Sequence, residues 1–409
     1  MRSRPAGPGR TGPGIPAPRG AYVHIPFCRR KCPYCAFLSV AGGSAAALDR
    51  YVATLCAEVR ARGDGRPVSS VYFGGGTPSL AGARRLGRVL AGLGKGFHVE
   101  RDAEVTVECN PESASPFLFR GLKAAGVNRI SIGVQSLDDT LLRRLGRLHD
   151  ARRAVRAVVE ARAAGFANVS VDMMFGLPGQ SVGAWKEDLR RVVALPVAHV
   201  SCYELHLEAG TPLAVASLPG EDEVADMWEA AFDELGRAGF VHYEVANHAR
   251  PGRECRHNLG YWSDREWFGF GAGAWSSLKG VRTANASGIG QYQAARKDGF
   301  PPAETDAPPD GVRAAMALIM ALRLRAGADL EALREKYGGA VFLPVEPAVE
   351  RHVAGGLLER EGGRLRLSRR GLLLANVVWA DLLEAAEKGF KSRVGAPFPA
   401  GFLSTAAAG

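Results

Sequence analysis

The feature that most constrains the fold of this chain is a regular alternation. Short runs rich in β-branched and aromatic residues take turns with longer stretches of helical spacing. The β-rich runs fall at Tyr22–Ile25, Ser70–Phe73, Glu104–Glu108, Arg129–Gly133, Asn168–Met173 and His199–Leu205. Apolar residues recur at helical intervals over Leu48–Arg62, Ala81–Leu93, Leu118–Ala125, Asp150–Ala164 and Ala184–Ala194. Such alternation marks βαβ units, in which each crossover helix returns the chain so that successive strands run parallel. Six units predict an α/β fold built on an open, partial (β/α)6 barrel.

Parallel barrels carry their chemistry at the C-terminal ends of the strands, and the polar residues of this sequence gather there. Cys28, Cys32 and Cys35 follow the first β-rich run in a Cys-x3-Cys-x2-Cys arrangement. Gly74-Gly75-Gly76-Thr77-Pro78 follows the second, Glu108 closes the third with Asn110-Pro111 behind it, Gln135 follows the fourth, and Asp172 sits near the end of the fifth. The glycine run lets backbone approach a ligand closely. It is not a phosphate loop, because no Gly-Lys-Ser/Thr follows.

Three thiolates this close suit a soft metal centre. A structural zinc site takes four protein ligands, so zinc would need His24 as the fourth. A disulfide with one spare thiol is the other bland reading. An iron–sulfur cluster with one iron left open to a substrate fits the ligand count best. Arg29, Arg30 and Lys31 would favour thiolates and offset cluster charge.

The chain has 409 residues, enough for one large domain and a smaller one. Its 46% hydrophobic and 23% charged residues are ordinary for a globular protein. Of seven cysteines only three are clustered; Cys56, Cys109, Cys202 and Cys255 are scattered, which suits a reducing cytoplasm rather than a disulfide framework. Residues 1–20 are rich in Pro, Gly and Arg, with no apolar core of a secretory signal, and are expected to form a disordered basic tail. No run approaches the length of a membrane span. The net charge of +10 suits nucleic acid, anionic lipid at a membrane periphery, or a ligand bearing carboxylates. A solvated arginine-rich surface outweighs a specific nucleic-acid site.

The run from Tyr22 to Phe37, with GGGTP, ISIGVQS and VDMMFGLPGQ, resembles radical S-adenosylmethionine (SAM) proteins, in particular oxygen-independent coproporphyrinogen III oxidase and its relatives. The resemblance spans Tyr22 to about residue 385. It implies a 4Fe–4S cluster on Cys28, Cys32 and Cys35, and SAM bound by Tyr22, Tyr34, Gly75, Gly76, Thr77, Glu108, Gln135, Arg147 and Asp172. It further implies an electron donor for the cluster and formation of a carbon radical from SAM. Arg147 is chemically apt as a bidentate donor near a carboxylate, although alone it reads as an exposed helix arginine.

Two branches of that family differ at one position. The decarboxylating oxidase carries a further cysteine where this chain has Phe37. Its absence, with His257-Asn258-Leu259-Gly260-Tyr261-Trp262, resembles the radical SAM heme chaperones, which implies heme as cargo and heme-acceptor proteins as partners. His257 is a natural axial ligand type, and Tyr261 and Trp262 suit a porphyrin face, with Asn258 between them. His242 and His248 read as structural. The chain departs from the chaperone pattern at Trp275, at Arg282-Thr283-Ala284-Asn285 and at Glu244-Val245-Ala246-Asn247, all expected near the ligand. The alternatives are anaerobic coproporphyrinogen III oxidation or another tetrapyrrole chemistry, and a non-catalytic redox sensor. Whether the protein is an enzyme stays open at this point.

A Pro/Asp-rich break at 305–310 separates a barrel with its tetrapyrrole-binding extension, 21–304, from a second module, 305–387. Helical spacing covers Val312–Leu324, Leu330–Lys336 and Glu346–Leu357. A hairpin follows, turning at Gly362-Gly363, and a last helix runs over Arg369–Ala386. Helices followed by a hairpin predict a winged-helix-like module. Arg364, Arg366, Arg369 and Arg370 raise DNA binding as a minor reading, with a lid or partner surface favoured. Residues 388–409 are expected to be a flexible tail.

Overall fold

The computed structural model describes residues 19–207, 210–213 and 215–390. Six strands form the parallel scaffold: β1 (Arg19–Ile25), then, beyond the two-residue ladder β2 (Phe27–Cys28) and β3 (Val40–Ala41), β4 (Pro67–Gly75), β5 (His98–Cys109), β6 (Arg129–Gln135), β7 (Asn168–Phe175) and β8 (His199–Glu204). Each pairs in parallel with its neighbour in chain order. The expected runs all lie within these strands except that Leu205 falls just past β8.

The sheet continues beyond the six. On one side, β8 pairs antiparallel with β10 (Asn247–Ala249), which pairs with β9 (Val241–Glu244). On the other, β11 (Trp267–Phe270) pairs in parallel with β1 and leads to an antiparallel run of β12 (Trp275–Leu278), β13 (Val281–Ala284) and β14 (Glu304–Asp306). The result is one twelve-stranded sheet whose edges, β14 and β9, do not meet. Period-two alternation is weak in strands of three or four residues, so these additions were not legible in the sequence.

The crossover helices are α1 (Ala45–Arg62), α2 (Gly82–Gly96), α3 (Pro116–Ala124), α4 (Asp139–Arg144), α5 (Ala151–Ala163) and α6 (Val182–Val193). Their starts are written in side chains. Ser44, Ser115, Asp138, Asp150 and Ser181 each accept a backbone N–H of the first turn, which satisfies donors the helix leaves unpaired. α7 (Glu221–Arg237) and the short α8 (Arg256–Trp262) escaped the periodicity reading. α7 buries only Met227, Ala230, Ala231 and Leu235, a narrow stripe among acidic residues.

Residues from α9 (Ile289–Ala294) lead to a second module with its own core around Leu318, Val349, Leu365 and Leu382. It contains α10 (Asp310–Leu322), β15 (Ala328–Asp329), α11 (Leu330–Tyr337), α12 (Glu346–Ala354), the hairpin β16 (Leu358–Glu361) and β17 (Arg364–Leu367), α13 (Arg369–Leu373) and α14 (Ala375–Phe390). The hairpin turns on Gly362 and Gly363, at φ of 56° and 80°, the pair of positive values a type I′ turn demands. The single last helix expected over Arg369–Ala386 is two helices, broken at Leu374. The expected basic tail, residues 1–20, lies outside the described residues except for Arg19 and Gly20, which begin β1 instead. Lys388 and the two residues after it continue α14, and the rest of the expected flexible tail lies outside the described residues.

Candidate functional site at the barrel mouth

Strand alternation sets which side chains line the barrel. Tyr22 and His24 on β1 stand level with Tyr72 and Gly74 on β4, and Glu108, Gly133 and Asp172 continue the ring. The cysteine loop begins directly past the end of β1, and hydrogen bonds tie it to this rim. Arg147 donates to the Cys32 thiol at 3.5 Å, to Asn110 Oδ1 at 2.7 Å and to the Gly133 carbonyl at 2.9 Å. Asn110 donates to Thr77 Oγ1 at 3.0 Å, and Thr77 donates to the Cys28 thiol at 3.6 Å. Cys28, Thr77, Asn110, Arg147 and Cys32 thus form one polar arc over the mouth. Arg147 Nε is buried beside this arc with no hydrogen-bond partner.

Arg147 is therefore not the exposed helix arginine that its local sequence suggests. Gly146, at φ 67°, ends α4 and turns the chain inward. A side chain at Gly146 would meet Pro33, so this glycine also lets the cysteine loop dock.

Glu108 accepts from Tyr72 Oη at 2.8 Å and from the Gly75 amide at 3.2 Å. Burial pushes its carboxyl up to about 7 against those hydrogen bonds, with the nearby Asp172 adding to the rise. Burial also raises Asp172, opposed by Ser201, Arg129 and Ser131, and Ser131 donates to it at 3.1 Å. Gln135 closes β6 at φ 70°, a left-handed conformation that a side-chain residue adopts only under constraint.

The glycine run serves the fold as well as any ligand. A Cβ on Gly75, at φ 113°, would lie 2.5 Å from the His24 ring, and one on Gly76 would lie 2.8 Å from the Pro26 and Phe27 backbone. The loop is pressed against the strand that launches the cysteines. The GFGAGAW segment repeats the device: Gly273 sits beneath Leu38, and Gly271 against the His24 carbonyl.

The three thiols are half-buried and free. Among the described residues no three His, Cys, Asp or Glu converge on a single ion position. His24 is committed elsewhere, to Tyr22 Oη at 3.0 Å and the Leu38 carbonyl at 2.9 Å, and so is not the fourth zinc ligand. The donor set fits an iron–sulfur cluster, in which each thiolate holds its own iron. One expectation is corrected: burial raises the Cys28 and Cys35 thiols and outweighs Lys31 beside Cys35.

The HNLGYW residues do not share the mouth. They form α8, packed near the N-terminal ends of β1 and β4. Glu104 on β5 caps this helix by accepting the Arg256 and His257 amides, each at 3.1 Å. Both ring nitrogens of buried His257 are engaged, Nδ1 with Ser70 Oγ and Nε2 with Tyr261 Oη, each at 2.9 Å. That leaves no lone pair for iron, and burial, then Arg129, lowers the ring to about 3. Asn258 is buried, and Trp262 lies under the Arg323 guanidinium at 4.3 Å. This quartet, expected to meet heme, is packed as the floor of the barrel.

The segments in which the chain departs from the chaperone pattern are tied into the fold by neighbouring groups. Asn285 donates to Glu58 at 2.7 Å and to the Gly271 carbonyl at 2.9 Å. Trp275 accepts, through its carbonyl, from Trp267 Nε1 at 3.0 Å. Glu244 is fully buried beside Arg323, which opposes the rise that burial imposes on it. His242 and His248 stack on each other at 4.4 Å. Sequence reading missed Tyr72 as a partner of Glu108 and underused Asn110. Both signals were available, since Tyr72 is two residues before Gly74 on the same strand face.

A parallel partial barrel with three loop cysteines facing a Gly-rich strand end defines a radical SAM protein, and that superfamily matches residues 22–192. The HemN C-terminal domain matches residues 312–374. The chain is similar to the heme chaperone HemW of Mycobacterium tuberculosis, at 38% identity covering 90% of this chain and 95% of that one. HemW of Bacillus subtilis is 33% identical over 89% of this chain and 99% of its own. This chain belongs to the HemW family of radical SAM proteins. Its fold is that of the coproporphyrinogen III oxidase HemN from Escherichia coli, with a TM-score of 0.80 over 89% of this chain and 90% of that one, at 23% identity.

Proposed function

We propose that this protein is a heme chaperone that binds heme and passes it to acceptor proteins, rather than a coproporphyrinogen oxidase. The observation that carries this reading is near full-length similarity to HemW proteins together with Phe37, exposed where the oxidase has a cysteine. The barrel mouth supports a 4Fe–4S cluster held by Cys28, Cys32 and Cys35. When bound, it supplies one electron to the sulfonium of SAM. The chain's own part is orientation. Arg147 and the Gly75–Thr77 strand end face the cluster loop, while Glu108, Gln135, Asp172, Tyr22 and Tyr34 would bound the SAM site. Arg29 and Lys31 are exposed and suit an acidic electron donor.

Seven free cysteines favour the cytoplasm. Among the described residues no helix is long and apolar enough to cross a membrane. Peripheral attachment would rest on the basic surface alone.

The test is an anaerobic heme titration of cluster-reconstituted protein at the Soret band, followed by transfer to an apo-hemoprotein. Saturable stoichiometric binding with transfer is expected. Absence of saturable binding overturns the reading. A His257→Ala variant is expected to melt at lower temperature yet keep its heme spectrum, because His257 holds the barrel floor. Loss of the spectrum in a variant with unchanged melting would restore His257 as a ligand.

A further inference from the structure

The interior of the barrel contains an unbroken file of rings. Tyr22 stacks on Tyr72 at 6.3 Å between centroids, and Tyr72 stacks on His257 at 5.2 Å. His257 meets Tyr261 at 4.8 Å, and Tyr261 meets Trp267 at 4.8 Å. The file starts at the mouth beside Glu108. It ends at a small cleft on the opposite side, lined by Gly20, Tyr261, Arg265 and Trp267 among others.

Each tyrosine in the file is hydrogen-bonded to a base. Tyr72 donates to the Glu108 carboxylate at 2.8 Å. Tyr22 Oη lies 3.0 Å from His24 Nδ1, and the Leu38 carbonyl can only accept from Nε2. The Nε2 nitrogen therefore carries the proton, Nδ1 is the acceptor, and Tyr22 is the donor. Tyr261 Oη lies 2.9 Å from His257 Nε2. Packing alone does not ask for this arrangement, because phenylalanine fills the same stack without burying a hydroxyl.

We propose that Tyr22, Tyr72, Tyr261 and Trp267 form a relay that carries a one-electron oxidation from the barrel mouth to the outer cleft. The initiating oxidant is a hydroxyl radical formed at the mouth. It takes one electron from Tyr22 and becomes hydroxide, while the phenolic O–H breaks, its proton passes to His24 Nδ1, and the tyrosyl radical remains. Tyr72 then gives an electron to Tyr22 and its proton to Glu108, while Tyr22 takes its own proton back from His24 Nδ1. Tyr261 repeats the exchange across His257, leaving Tyr72 to recover its proton from Glu108. Trp267 gives up the last electron, and an external thiol reduces it. The file would thereby discharge a radical that finds no substrate, sparing the cysteine loop. It depends on the cluster cysteines but not on heme, so it stands or falls separately from the chaperone reading.

The test adds hydrogen peroxide to the reduced, cluster-loaded protein, in which one cluster electron converts peroxide to hydroxyl radical and hydroxide. A scavenger in solution removes radical that escapes. Frozen samples are read by electron paramagnetic resonance with ring-deuterated tyrosine, and oxidation is mapped by peptide mass spectrometry. The relay predicts a tyrosyl signal narrowed by deuteration, with oxidation at Tyr261 and Trp267. Tyr72→Phe keeps the stack but lacks the transferable proton. It should lower Trp267 oxidation at least tenfold and raise damage in the cysteine loop, and Tyr261→Phe should spare Trp267 in the same way. Trp267 oxidation unchanged in both variants, or damage confined to the cysteine loop in the unsubstituted protein, overturns the proposal.

Discussion

Arg147 and Glu108 show how single side chains set the character of the mouth. Arg147 spends its hydrogen bonds on Asn110, the Gly133 carbonyl and the Cys32 thiol. Hydrogen bonds to charged groups contribute about 1.5–3 kcal/mol, so Arg147→Leu is expected to weaken SAM binding to the cluster-loaded protein by about 10- to 100-fold, read by calorimetry. Glu108 has the opposite problem, because burial raises its carboxyl to about 7. A carboxyl whose folded value lies above the unfolded one penalises the fold as it ionises. Stability is fullest below the unfolded value and declines as pH rises toward 7. Glu108→Gln removes that penalty, so its melting temperature relative to the unsubstituted apo-protein should climb between pH 5 and pH 8. At about 1.36 kcal/mol per pKa unit the gain is roughly 2–3 kcal/mol.

At the scale of elements, the strand end of β4 and the loop after β1 are fitted to each other through glycine. Gly75→Ala places a methyl group where the His24 ring lies and forces a positive φ on a residue that resists it. The expected cost is about 2–4 kcal/mol in denaturant midpoint, with release of the His24 bond to Leu38 and poorer cluster retention in iron and sulfide assays. Helix α8 shows the same economy of parts, because Glu104 from β5 supplies its N-terminal cap. Four of its seven residues looked like a ligand motif. Spacing shows that such residues lie together on one helix, but not which way that helix faces.

Across the whole molecule, the barrel and the C-terminal module meet around Arg323. Its guanidinium lies 4.3 Å from the Trp262 ring and 5.0 Å from the Trp379 ring, next to buried Glu244. Arg323→Leu removes the charge that opposes the burial-driven rise of Glu244 and the cation stacked between two tryptophans, a loss of about 2 kcal/mol or more for desolvated cation–ring contacts. Calorimetry should then show two melting transitions in place of one, and adding Glu244→Gln should restore part of the loss. The positive charge of the wing is largely committed within the fold. Arg364 pairs with Asp329, Arg366 with Glu359 and Glu361, and Arg369 with Glu229 and Asp233. This pattern favours a module fastened to the barrel over a nucleic-acid face.

The sequence by itself determined the six parallel strands, most crossover helices, the cysteine loop and the ring of polar residues at the strand ends. Those features follow from local periodicity and from the rule that strand ends share one rim. Only the tertiary structure decided what each side chain could still offer. His257 was legible as a ligand type, yet Ser70 and Tyr261, distant from it or a turn away, take up both its nitrogens. Arg147 was legible as a surface residue, yet a left-handed glycine turns it onto Asn110 and Cys32. The short strands β9 to β14 carry too few residues to show a period, and they form only because the edges of a preformed sheet accept them. Availability of a lone pair or a proton is a property of neighbours, and neighbours far apart in the chain are chosen by packing.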